Sequence, residues 1–106
     1  MALTDTKIAD LKQAHGEVWE VDFPAAGFSV AFKRPSSAAF ERLMGALTSD
    51  KPKLAAHRAF CFDIVVEPTG ENLTALLDKY PGIAAKISNQ GAYVASAEEA
   101  ENAKKL

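Results

Sequence analysis

His57 and Cys61 are the two side chains best suited to covalent or metal chemistry, and they stand four residues apart. At that spacing they share one face of a helix. The pair has two chemical readings, a Cys–His nucleophile and half of a zinc site. A zinc site needs two further ligands. The chain holds one cysteine, and His15, the other histidine, lies in a different segment. A nucleophile needs an oxyanion hole, and no glycine-rich loop adjoins Cys61. The structural reading is therefore preferred: an inert buried thiol beside a histidine near the surface. Asp63 is the one acid inside the apolar run 59–66. It is either a general acid with a raised pKa or a structural acid, facing solvent or paired with Arg58 or Lys79. The structural reading prevails, because buried acids are usually paired. Lys33-Arg34 either docks an acidic partner or is an edge charge that discourages strand pairing. Trp19 and the phenylalanines are core candidates, since no polar groups converge on them in the sequence to make a ligand pocket. No catalytic residue, metal ligand or cofactor is expected.

The elements that position these residues begin with a hairpin. Trp19, Val21 and Phe23 alternate on one strand, and Phe28, Val30 and Phe32 on the next, with Pro24-Ala25-Ala26-Gly27 between. Pairing Phe23 with Phe28, Val21 with Val30 and Trp19 with Phe32 puts all of these apolar groups on one face. A lone hairpin is marginal in water, so helices must cover that face. Its two edges stay open unless something else pairs with them. Upstream, Thr4 caps a short helix that Gly16 stops, with a thin apolar stripe of Leu3, Ile8 and Leu11. Downstream, Pro35-Ser36-Ser37 opens a helix with Phe40, Leu43, Met44 and Leu47 at helical spacing. Thr48-Ser49-Asp50 offers caps for a third helix, with Pro52 in its first turn. Leu54, His57, Cys61, Ile64 and Val65 would form its inner face, widened by Phe60 and Phe62.

Periodicity does not separate helix from central strand over 59–66. The upstream composition favours helix. Thr69-Gly70-Glu71-Asn72 reads as a turn. Two short helices follow, kinked at Tyr80-Pro81-Gly82, with Leu73, Leu76, Leu77 and Tyr80 on one and Ile83, Ala84 and Ile87 on the other. The hairpin face is expected on the helix bearing Phe40, Leu43 and Leu47. The fold class is α+β: an N-terminal helix and β-hairpin packed on a small bundle of about four helices. Residues 1–91 form a single domain. Residues 92–106 form a flexible polar C-terminal tail, dispensable for folding.

Composition sets the outer bounds. The chain has 106 residues, enough for one modest core, and a net charge of −2. Its basic residues are scattered, which argues against a nucleic-acid partner. The apolar run is too short to span a bilayer. No signal peptide is read at the N-terminus, so a soluble cytoplasmic protein is expected.

From Phe32 to about Asn89 the chain resembles the tail assembly chaperones of long-tailed bacteriophages. The residues that carry the resemblance come in order. They are Phe32-Lys33-Arg34-Pro35-Ser36, an aromatic-centred helix at Phe40-Glu41-Arg42, and the run Phe60-Cys61-Phe62-Asp63-Ile64-Val65-Val66 with Pro68. Leu76-Leu77-Asp78-Lys79-Tyr80-Pro81-Gly82-Ile83-Ala84 closes the series. The resemblance implies a non-catalytic protein without a cofactor. It would bind and solubilise the tape measure protein during tail morphogenesis, in the host cell cytoplasm, and would be absent from the mature virion. In some members a programmed frameshift extends the product so that it also recruits tail tube subunits. Lys104-Lys105 is compatible with a slippery adenine-rich run or with an ordinary polar tail. At most a weak homo-oligomer is expected.

A chaperone for an amphipathic helix needs an adaptable apolar surface. Its candidate residues here are Phe40, Met44, Leu76, Leu77 and Ile83, with Lys33 and Arg34 as rim charges and the hairpin edge as a second candidate. The alternative is a small structural or adaptor subunit that assembles through that β-hairpin edge.

Overall fold

The computed structural model describes residues 3–50 and 52–106. In chain order the elements are α1 (Asp5–His15), β1 (Val18–Phe23), β2 (Phe28–Lys33), α2 (Ser37–Leu47) and α3 (Lys53–Ile64). Then come β3 (Val65–Glu67), α4 (Gly70–Lys79), α5 (Gly82–Ala95) and β4 (Lys104–Lys105). The fold is α+β, as the sequence indicates.

The hairpin forms in the expected register: Trp19 opposite Phe32, Val21 opposite Val30, Phe23 opposite Phe28. Its turn closes with the Ala26 and Gly27 N–H groups donating to the Phe23 carbonyl, each at 3.0 Å. Gly27 has φ +77°, a left-handed conformation that suits glycine. Both hairpin edges are paired over a short stretch near the end away from the turn. β3 pairs with β2 and β4 with β1, giving an antiparallel sheet in the order β3-β2-β1-β4. The unpaired backbone groups that a bare hairpin would expose are thus partly satisfied from within the chain.

Trp19, Val21, Val30 and Phe32 join Leu43, Phe60, Ile64, Leu73, Leu77 and Ile87 in one buried cluster, which unites the hairpin face with α2 to α5. The other face of the sheet has its own smaller core. Val18, Ala31 and Val66 point there and meet Leu11 of α1. The N-terminal helix therefore covers the sheet from the side opposite the bundle, instead of packing on the bundle itself. Strand alternation explains this, because Val18 and Ala31 lie one residue out of phase with Trp19 and Phe32.

The ambiguous run resolves into both alternatives. α3 continues to Ile64, and the chain then becomes extended at Val65. Two β-branched residues favour a strand there, and Pro68 excludes Glu67 from helical geometry. Thr48 and Ser49 do not cap α3. Their hydroxyls donate back to carbonyls at the end of α2, Thr48 to Met44 and Ser49 to Ala46. Pro52 occupies the N-cap position of α3. The expected turn at 69–72 is instead the first turn of α4.

The expected boundary at Gly91 is also corrected. α5 runs through it to Ala95, Val94 is buried, and Lys104–Lys105 adds a strand to β1. Composition suggested a loose tail from Ala92. The long-range anchors are Val94, partly buried Ala100 and Ala103 on the main core, and Leu106 on the smaller one.

Candidate partner-binding site

Tertiary packing fixes the rotational phase of α3. Ala56, Phe60, Cys61 and Ile64 are buried, whereas Leu54 is 43% and Phe62 45% exposed. The sequence reading placed Leu54 and Phe62 on the inner face. With about 3.6 residues per turn, the arc centred on Phe60 leaves Leu54, Ala55, Ala59 and Phe62 together on the outer side. The signal was present in the i, i+4, i+8 series of Ala56, Phe60 and Ile64. The density of apolar residues all round the helix hid it.

Two ion pairs tie α3 to its neighbours, and one of them starts from Arg58, which stands between Leu54 and Phe62 in the same i, i+4, i+8 row. Arg42 of α2 meets Asp63 at 3.1 Å, and Arg58 meets Asp78 of α4 at 3.1 Å. Asp63 is thus a paired structural acid, with Arg42 as partner in place of the expected Arg58 or Lys79. On α2, Phe40 is half-buried against the core and Met44 is 38% exposed.

The proposed partner-binding residues divide. Phe40 and Met44 share one side of α2 and reach the surface. Leu77 and Ile83 are buried in the main core, with Ile83 reaching the wall of a hollow beside the hairpin turn. Leu76 is half-buried and lines a hollow of about 400 Å³ with Leu3, Lys7, Phe28 and Pro68. The α4–α5 pair turns its apolar stripe inward because the hairpin face needs covering. Lys33 is half-buried opposite Val18.

Arg34 is engaged. It donates to Glu17 Oε2 from Nη2 at 2.6 Å and from Nε at 2.9 Å, and lies 5.2 Å over the Trp19 ring. Lys105 meets the other oxygen of Glu17 at 2.9 Å. Hydrogen bonds from Lys105 and then Arg34 hold the Glu17 carboxyl below its usual range.

His57 and Cys61 do not form a reactive pair. His57 Nδ1 shares a 2.8 Å hydrogen bond with Ser88 Oγ, and the Cys61 thiol donates to the Ala84 carbonyl at 3.4 Å. Burial pushes the Cys61 pKa up to about 12. Cys61 should therefore resist a thiol reagent in the native protein and react in step with unfolding. Fast labelling of the folded chain would show an access path that its full burial denies. Among the described residues no cluster of three or more His, Cys, Asp or Glu is placed to hold a metal ion. No helix among them is long and apolar enough to cross a membrane.

Polar groups do line one hollow beside aromatic rings, against the sequence expectation. A space of about 650 Å³ between the hairpin turn and α5 is bordered by Phe23 and Tyr80, with Asp22, Lys86, Asn89, Gln90 and Asn102. Two of these are already committed. Asp22 accepts from Ser29 at 2.9 Å, and Gln90 Oε1 accepts from the Asn102 N–H at 3.0 Å.

The fold is that of a small α+β domain with large apolar side chains exposed on α3. Residues 11–104 match a domain family of unknown function, DUF6848, and the chain belongs to that family. The match runs well past Gly91, in keeping with a domain that includes β4. No curated protein matches the chain. An uncharacterised protein, rbstp2171 from Bacillus stearothermophilus, has a solved structure similar to this one. The likeness covers 88% of this chain and 95% of that one, with a TM-score of 0.75 and 25% identity.

Proposed function

We propose that this domain is a non-catalytic module that covers the apolar stripe of an amphipathic helix. Following the resemblance of residues 32–89, we propose further that it is a tail assembly chaperone whose client is the tape measure protein. The observation that supports this reading most is the exposure of Leu54 and Phe62 on one side of α3, with Met44 exposed on the adjoining α2. Large apolar side chains on one side of a helix, with the Arg58–Asp78 ion pair between Leu54 and Phe62, suit an amphipathic partner helix that offers apolar and polar groups together. Phe40 backs Met44 from the core side. The short strands β3 and β4, which pair with part of each hairpin edge, weigh against a structural subunit that assembles along the whole of those edges. The reading places the protein in the host cell cytoplasm during assembly and outside the finished particle.

Co-expression with tape measure fragments tests it. The wild-type chain should raise the soluble fraction of a fragment that aggregates alone. Phe62→Asp and Met44→Asp should abolish most of that gain while leaving the domain folded, since both side chains already meet solvent. Charge reversal at Lys33 should matter less, because apolar cover at the centre of an interface outweighs rim charge. No gain in solubility across several fragments would overturn the proposal.

A further inference from the structure

The segment after α5 carries a conflict between its local preference and its observed conformation. α5 ends in a Schellman turn. The Glu98 N–H donates to the Tyr93 carbonyl at 2.9 Å and the Ala97 N–H to the Val94 carbonyl at 3.2 Å. The left-handed position of that turn is normally glycine, and here it is Ala97 at φ 58°. Among the described residues, Ala97 is the one non-glycine with positive φ. The residues that follow are Glu98-Glu99-Ala100-Glu101-Asn102-Ala103-Lys104-Lys105, rich in strong helix formers. Yet they fold as an irregular strap ending in a strand of two residues.

Charge placement sharpens the conflict. As the chain stands, Glu98 and Glu99 follow the C-terminus of α5, where the helix dipole disfavours acids. The last turn of α5 has no basic residue. If α5 continued, the acids would lie within the helix with Lys104-Lys105 on their C-terminal side. Glu101 would then sit four residues before Lys105, the favourable orientation for such a pair. Extension of a helix already formed needs no new nucleus.

What holds the strap down is the packing of Ala100 and Ala103 on the main core and of Leu106 on the smaller one, together with a few polar contacts. β4 pairs with Trp19 and Glu20 alone, and the Leu106 N–H donates to the Val18 carbonyl at 3.0 Å. Asn102 N–H reaches Gln90, and Lys105 binds Glu17 and lies 5.9 Å over the Trp19 ring. Glu17, Arg34 and Lys105 are all largely exposed, so this latch is weak.

We propose that residues 96–106 form a two-state strap. In one state, seen here, they cross Trp19 and add β4 to the sheet. In the other, α5 runs on through them as helix and the outer edge of β1 is uncovered. The proposal stands independently of the client.

The test uses the full chain, with backbone chemical shifts of residues 97–105 and the emission of Trp19, the one tryptophan. Glu17→Lys sets a cation against Lys105 in the strapped state alone, while the loss of the Arg34 pair is common to both states and cancels between them. It should move the shifts of 97–105 to helical values and red-shift the emission. Adding Ala97→Gly, which suits the Schellman turn and weakens the helix, should reverse both changes. Retention of strand shifts at Lys104–Lys105 in Glu17→Lys would overturn the proposal. So would coil shifts over 97–105, which would mean release without a second folded state.

Discussion

Phe60→Ala should lower the unfolding free energy by about 3–5 kcal/mol, the usual range for removing a buried aromatic ring. Phe60 is 1% exposed and stands at the centre of the buried arc of α3. Its ring edge lies against Gly91 of α5. A Cβ built on Gly91 would sit 3.0 Å from Phe60 Cε2 and 2.6 Å from Ile64 Cδ1. The two helices approach closely because that position has no side chain. Once the ring is gone, nothing on α5 reaches across to fill the space. A denaturant titration should show a lower midpoint with an unchanged slope. The coupling is also measurable. Gly91→Ala should destabilise the wild type by crowding Phe60 and Ile64, and should cost less in the Phe60→Ala background. Additive effects would place the crowding on Ile64, which lies 2.6 Å from that Cβ, and not on Phe60.

Trp19→Ala should cost ~3 kcal/mol or more. The ring is 8% exposed and stacks on Phe32, with centroids 5.9 Å apart and planes at 15°. Arg34 and Lys105 both lie over it, so its removal also loosens the latch between β1 and the C-terminal strap. A loss below about 1 kcal/mol in the same titration would mean that the indole contributes little to the core and is free to serve a partner.

The hairpin was legible because its evidence is local. Three cross-strand pairs of apolar residues agree on one register, and a slip of one residue would turn all of them to the wrong face. The cap at Thr4 and the helix start at Pro35-Ser36-Ser37 were legible for the same reason, since a cap is a contact between a side chain and a backbone three residues away. What depended on distant partners was not. β3 and β4 are too short to carry a strand pattern of their own, and exist because the hairpin edges are there to pair with. The transition at Ile64–Val65 falls inside one unbroken apolar run. Its position is set by the sheet and by Pro68.

The candidate site shows the same division. Met44 and Phe40 were found from helical spacing. Leu77 and Ile83 were placed at the surface because the sequence does not say which neighbour a stripe will cover, and the hairpin face claimed both. Leu54 and Phe62 were missed for the converse reason. In a helix whose second half is apolar nearly all round, the packing against α2 and α5 decides which side faces out.

The central claim is that the outer side of α2 and α3 is the surface that covers a client helix. Its most direct test places a photo-crosslinking residue at Phe62, Met44 or Leu76 and irradiates each variant in the presence of a soluble, amphipathic tape measure segment. The account predicts strong crosslinks from positions 62 and 44, and weak ones from 76 beside α1. Strong crosslinking from 76 with none from 62 or 44 would contradict it, as would no crosslink to the client at any of the three.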